Sequence, residues 1–253
     1  MLAMLVAAPL LACEARNLVA DAGGAGGTGV IVDRWPTVLL SDFEDPAAAT
    51  VVRVGSPPRN GTWNAYNDES ATCVQTPAAG APYVGEPPPA GTSPFSRGSL
   101  ALHGRWAGCT SWGGGIGADI NTPVVADGAT YFGPKVPYDL STYSGVTFYA
   151  MAAPGSDTHL RFKLTMRATT PVQGGGACDD TVNVCGDDWG LQFDLPGNGT
   201  WKQYIVRFSG VAFGQEGWGA VFPWNPSDVT GVQIQSVDVG EPYDFWIDMS
   251  LVP

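Results

Sequence analysis

The stretch Tyr138–Met166, YDLSTYSGVTFYAMAAPGSDTHLRFKLTM, decides how the rest of the chain is read. Its apolar residues recur at every second position. In Gly145–Met151, Val146, Phe148 and Ala150 fall on one side and Thr147, Tyr149 and Met151 on the other. In His159–Met166, Leu160, Phe162, Leu164 and Met166 oppose His159, Arg161, Lys163 and Thr165. A period of two belongs to a β-strand with one face on a core and one face in water. Between the two runs, Ala153-Pro154-Gly155-Ser156-Asp157 is a cluster of chain breakers. The expectation is two antiparallel strands joined by a turn. Tyr149, Arg161 and Lys163 then sit on wet faces, as a binding surface or simply as a solvated sheet.

Composition extends this reading to the whole chain. In 253 residues there are 34 Gly and 21 Pro but only 14% charged residues. That balance fits many short strands and tight turns, and the length allows one large all-β domain or two small ones. Twelve basic against 24 acidic residues give a net charge of −12. Such a surface repels phosphates, which argues against a nucleic-acid partner. The same acidity suits bound Ca²⁺, and equally a soluble exported surface.

Further strands are expected at Thr37–Glu44, Thr62–Asn67, Ser99–Gly104, Ile116–Asn121, Trp189–Asp194, Trp201–Phe208, Gly231–Ser236 and Tyr243–Leu251. Ala78–Gly98, rich in Pro, Gly and Ser, reads as a loop, and Gly210–Asn225 as another that carries Trp218 and Trp224. About ten strands at hairpin-like spacing make a sandwich or barrel. No internal repeat and no second domain is visible.

Residues 1–12 form an apolar run too short to cross a bilayer. The run ends in Leu10-Leu11-Ala12-Cys13 and resembles a bacterial lipoprotein signal, in which Cys13 would carry the lipid. No Lys or Arg precedes the run, which departs from that pattern. Residues 13–35, with Gly23-Gly24-Ala25-Gly26-Gly27, read as a flexible tether, and residues 36–253 as the domain. The expected location is the cell envelope, with the membrane met only through the anchor. Export also suits the remaining cysteines, Cys73, Cys109, Cys178 and Cys185. They allow three pairings. A local Cys178–Cys185 bridge around a short polar loop is natural and leaves Cys73 with Cys109. A zinc site is the alternative, although the spacings lack a CxxC knuckle.

The order of the motifs DFE, GSLALHG, WGGGIG, YDLSTYSGVTFYA, HLRFKL, TWKQYIVRFS, GVQIQ and FWIDMSL resembles the galactose-binding-like jelly rolls. It is most similar to the carbohydrate-binding modules found beside bacterial β-glucanases and cellulases. The resemblance covers about Thr37–Val252. It implies an all-β jelly-roll sandwich with one concave and one convex sheet, a ligand across the concave face or in the loops, and often a structural Ca²⁺. Glu44 in DFE and Asp248 in WIDMS match the ion's positions, with Asp42 as a third candidate. Carboxylates from distant strands suit Ca²⁺, which takes 6–8 oxygen ligands.

For a sugar, aromatic rings supply flat apolar faces and amides bond the hydroxyls. The candidates are Tyr149, Arg161, Lys163, Gln192, Gln233 and Gln235 on wet faces, with Trp112 in a rimming loop and Trp218 in another. Tyr149, Arg161 and the glutamines are expected to share one groove, given the strand order that the resemblance implies. Neither a Gly-x-Ser-x-Gly elbow nor an HExxH helix is present, and no carboxylate pair stands out; Asp119 and Asp188 read as turn and strand-end residues. The reading is non-catalytic binding of a polysaccharide, β-glucan among the candidates. The alternatives are a structural or adhesive envelope module with a protein partner, and a glycan-active enzyme.

Overall fold

Alternation produces strands from Val38 to Val252. The computed structural model describes residues 38–41, 43–44, 59, 61–92, 100–121 and 134–252. Its strands are β1 (Val38–Ser41), β2 (Trp63–Asn67), β3 (Val74–Thr76), β4 (Leu102–Ala107), β5 (Gly114–Asp119), β6 (Gly145–Ala152), β7 (His159–Met166), β8 (Trp189–Asp194), β9 (Lys202–Arg207), β10 (Val229–Ser236) and β11 (Tyr243–Val252). One sheet has the order β3-β4-β11-β6-β9, with β1 also paired to β11; the other has the order β2-β5-β10-β7-β8. All the strand pairs are antiparallel. The fold is an all-β jelly-roll sandwich. The signal, the tether, Cys13 and Asp42 lie outside the described residues.

The two strands of the opening stretch are not partners. β6 pairs with β11 and β9, whereas β7 pairs with β10 and β8. The breaker cluster carries the chain from one sheet to the other. It leans on β11, where the Ala153 and Asp157 N–H groups donate to the carbonyls of Asp244 and Pro242. The strands therefore face each other through the core, with the Phe148 and Phe162 rings stacked at 5.8 Å and 15°. Periodicity cannot separate this crossover from a hairpin, because side chains alternate identically in both. The residues expected in the core, Val146, Phe148, Leu160, Phe162, Val232 and Ile234, are all buried there.

A second consequence concerns β6, which is buried on both faces. Its outward residues Tyr149 and Met151 join Ala101, Trp201 and Trp246 in a separate apolar cluster. Beside it His103 stacks on Trp246 at 4.0 Å and bridges Glu86 and Asp244 at 2.9 and 2.7 Å. β4 runs from Leu102 to Ala107, a few residues beyond the expected Ser99–Gly104, and the three-residue β3 was too short to show a period.

The loop expected at Ala78–Gly98 is described over residues 78–92, and this part lies along an edge of the sandwich. Ala65 and Tyr83 N–H groups donate to Ala81 and Trp63 carbonyls, and Glu86 and Ala101 exchange both backbone bonds. Both expected disulfides form, Cys73–Cys109 and Cys178–Cys185. Among the described residues no helix is long and apolar enough to cross a membrane.

Candidate functional site

The outward face of the β2-β5-β10-β7-β8 sheet carries a connected set of polar and aromatic groups. Register fixes who stands beside whom. Tyr66, Gly115, Gln235, Arg161 and Gln192 make one row across the five strands. Asn64, Gly117, Gln233, Lys163 and Gly190 make the next. At a spacing of about 4.8 Å per strand, each row is about 19 Å long.

Glycines on β5 give this face its floor. A Cβ at Gly115 would lie 2.5 Å from the Tyr66 hydroxyl, so only glycine lets the phenol lie flat over β5. The Tyr66 hydroxyl donates to Gln233 Oε1 at 3.2 Å. Burial pushes the phenol pKa well up, so Tyr66 stays a neutral donor. Its ring meets Trp112 at 5.9 Å with a 32° tilt. Trp112 is 44% exposed, and its carbonyl accepts from Gln235 Nε2 at 3.1 Å.

The other end of the row is closed by the loop between β9 and β10. Gly214 and Gly190 exchange backbone bonds, so this loop extends the sheet past β8. Glu216 then reaches inward. Its Oε1 lies 2.9 Å from both Arg161 Nη1 and Gln192 Nε2, and its Oε2 accepts from Trp218 Nε1 at 3.0 Å. Trp218, 54% exposed, stands at this end of the row.

Arg161 and Lys163 are on the expected face but are recessed rather than wet. Arg161 is 7% exposed and donates through Nη2 to the carbonyls of Asp188 and Gly214 at 2.9 and 3.1 Å. Lys163 Nζ donates to Gln235 Oε1 at 2.5 Å and stands 3.8 Å from Asp188 Oδ2. Burial lowers both cations' pKa values, opposed chiefly by Glu216 at Arg161 and by Asp188 at Lys163. Burial raises Asp188, opposed by Lys163 and by the Thr169 hydroxyl that donates to it. Asp188 is thus a buried partner under the face, not a plain strand-end residue. Asp119 ends β5 and holds Lys135 Nζ at 2.5 and 2.6 Å. The face has charges of both signs, each matched internally.

Trp112, Arg161, Lys163, Gln192, Gln233 and Gln235 therefore come together, and Tyr149 does not. Tyr149 is on β6, in the opposite sheet, 6% exposed and packed in the second apolar cluster. Alternation keeps Tyr149 away from the core between the sheets, as expected, but its strand belongs to the other sheet, so its side chain is on the outside of that one. Its place beside the amides is taken by Tyr66. The same alternation reaches Tyr66 and Asn64 once Trp63 and Ala65 are read as core. Glu216 has no such signal, since loops have no period. Asp68, Cys73 and Cys109 offer donor atoms within 4.8 Å of one another, but both sulfurs are in the disulfide.

No protein-family model and no curated protein matches the chain. Solved structures of similar chain path include the family 11 carbohydrate-binding module of the cellulosomal cellulase Lic26A-Cel5E of Clostridium thermocellum. That match is 15% identical, with a TM-score of 0.47, and covers 85% of this chain and 94% of that one. The family 30 carbohydrate-binding module of the cellulosomal cellulase Cel9D-Cel44B of Clostridium thermocellum is 12% identical over 84% of this chain and 96% of that one, with a TM-score of 0.42. An exo-β-agarase is 13% identical over 85% of this chain and 25% of that one, with a TM-score of 0.47.

Proposed function

We propose that this chain is a non-catalytic carbohydrate-binding module for a linear, uncharged polysaccharide, with soluble β-glucan as the first ligand to test. The observation that carries the reading is the row Tyr66–Gln235–Arg161–Gln192 across five strands, with an exposed tryptophan at each end. Exposed Asn64 and Gln192, half-buried Gln233 and Gln235 and the Tyr66 hydroxyl are the donors and acceptors that sugar hydroxyls need. Indole faces suit pyranose C–H groups. Internal matching of Arg161 and Lys163 leaves no free charge to favour an acidic chain. Glu216 and Asp188 are engaged by Arg161, Gln192, Trp218, Thr169 and Lys163, which supports binding without bond cleavage.

Affinity electrophoresis through soluble β-glucans tests this. The parent protein is expected to be retarded, and Trp112→Ala and Trp218→Ala each to lose most of that retardation. A parent protein that no neutral polysaccharide retards would overturn the reading, and retardation of both variants equal to the parent would move the site elsewhere.

The same reading places the module in the cell envelope, anchored by lipid on Cys13 behind the glycine-rich tether. Cys13→Ser is then expected to shift the protein from the membrane to the soluble fraction. A structural Ca²⁺ held by Glu44 and Asp248 also belongs to it. In its favour, Asp248 is 3% exposed, and a buried carboxylate calls for a cation or dense hydrogen bonding. It sits on β11, the partner of β1, which ends three residues before Glu44. Two hard oxygen donors suit Ca²⁺.

A further inference from the structure

The two exposed tryptophans are built into the molecule in the same way. Trp112 is the middle of three successive residues, Ser111, Trp112 and Gly113, whose N–H groups all donate to Asp68 Oδ2, at 2.7, 3.1 and 3.1 Å. Asp68 Oδ1 meanwhile accepts from the Ser70 N–H and hydroxyl at 3.0 and 2.5 Å. At the other end, Asp187 Oδ1 accepts from the Glu216 N–H at 2.9 Å, and Oδ2 from the Gly217 and Gly219 N–H groups at 2.7 and 3.3 Å. These donors bracket Trp218. Each tryptophan has a glycine in the left-handed region beside it, Gly113 at φ +93° and Gly217 at φ +91°, which lets successive N–H groups converge on one carboxylate. Each cradle also lies close to a disulfide in sequence, Ser111 two residues after Cys109 and Asp187 two after Cys185.

From this we infer that Asp68 and Asp187 are positioning residues, each holding one tryptophan ring in a fixed attitude at its end of the groove. The inference rests on the carbohydrate-binding reading for its purpose but not for its geometry. Several charge-assisted bonds from one loop to one carboxylate make the loop rigid before any ligand arrives. Partial burial would raise the Asp68 carboxyl, but the Ser70, Ser111 and Gly113 donors outweigh it and hold the group well below the usual carboxylate range. A ligand stacking on a ring already in place loses less ordering free energy on binding.

The test uses the whole chain labelled with 5-fluorotryptophan, its fluorine signals assigned through Trp112→Phe and Trp218→Phe. In the ligand-free protein, Asp68→Asn is expected to shift and broaden the Trp112 signal while leaving Trp218 unchanged, and Asp187→Asn to do the reverse. On β-glucan gels Asp68→Asn should bind roughly two- to tenfold more weakly, the cost of ordering one side chain. In a Trp112→Ala background it should weaken binding no further, because it acts only through that ring. If Asp187→Asn fails to fold, the partly exposed Asp68 decides alone. Unchanged fluorine signals in the cradle variants, or an undiminished Asp68→Asn effect without Trp112, would overturn the inference. Selective fluorine changes in a protein that no polysaccharide retards would leave the cradles standing and remove the proposed ligand.

Discussion

At the scale of the residue, burial separates what side-chain type alone confuses. Tyr66 and Tyr149 are both tyrosines pointing away from the core between the sheets. Tyr66 lies on the outward face of the β2-β5-β10-β7-β8 sheet with its ring against Trp112, whereas Tyr149 is packed among Met151, Trp201 and Trp246. Truncating them should therefore have opposite consequences. Tyr149→Ala is expected to cost about 3 kcal/mol of stability, as for other large aromatics removed from a packed cluster, and to leave polysaccharide retardation as in the parent. Tyr66→Ala should keep most of the stability and lose binding. Denaturant unfolding and gel retardation on the same samples check both, and a Tyr149→Ala protein that stays fully stable but no longer binds would return that residue to the site.

At the scale of the element, the described loops do what the strands cannot. Strands set the order of groups across the face, but the loops after β4 and β9 bring up Trp112 and Trp218. Loops outside the ladders of backbone bonds need bracing, and the disulfides supply it near both cradles. Cys73–Cys109 closes a separation of 36 residues and joins the chain just before β3 to the chain just after β4; Cys178–Cys185 closes 7. Loop-closure entropy in the unfolded chain grows with length. Removing the first bridge by paired Cys→Ser changes should therefore cost about 4 kcal/mol and removing the second about 2.5 kcal/mol. Guanidinium unfolding of the two variants would give the order, and a larger loss at the shorter loop would show that something other than closure entropy holds the 178–185 segment.

At the scale of the whole molecule, what was legible was local. Alternation assigned Arg161, Lys163, Gln192, Gln233 and Gln235 to an outward face, and all of them are on one. It did not show that β6 and β7 belong to different sheets, because strand order is decided by pairings between residues far apart in the chain. β11 illustrates this: it pairs with β4, β6 and β1, drawn from most of the sequence. That strand also suggests how an ion would act on the fold as a unit. Glu44 follows β1, accepts the Leu100 N–H at 2.9 Å just before β4, and is the carboxylate that the proposed Ca²⁺ would share with Asp248 on β11. A cation there would tie together three strands of one sheet, and since the unfolded chain does not gather these residues, binding would favour only the native state. At free Ca²⁺ about a hundredfold above its dissociation constant, the gain is about 2.7 kcal/mol. For a chain of this length, chelation should then lower the Tm by roughly 5–10 °C. The parent is expected to show that drop with EDTA and to recover it with added Ca²⁺ but not Mg²⁺, whose smaller octahedral shell fits such sites poorly. Asp248→Asn should melt at one temperature with or without chelator. Calorimetric scans in which the parent's Tm ignores chelation would remove the ion and leave Asp248 as a carboxylate buried for its own hydrogen bonds.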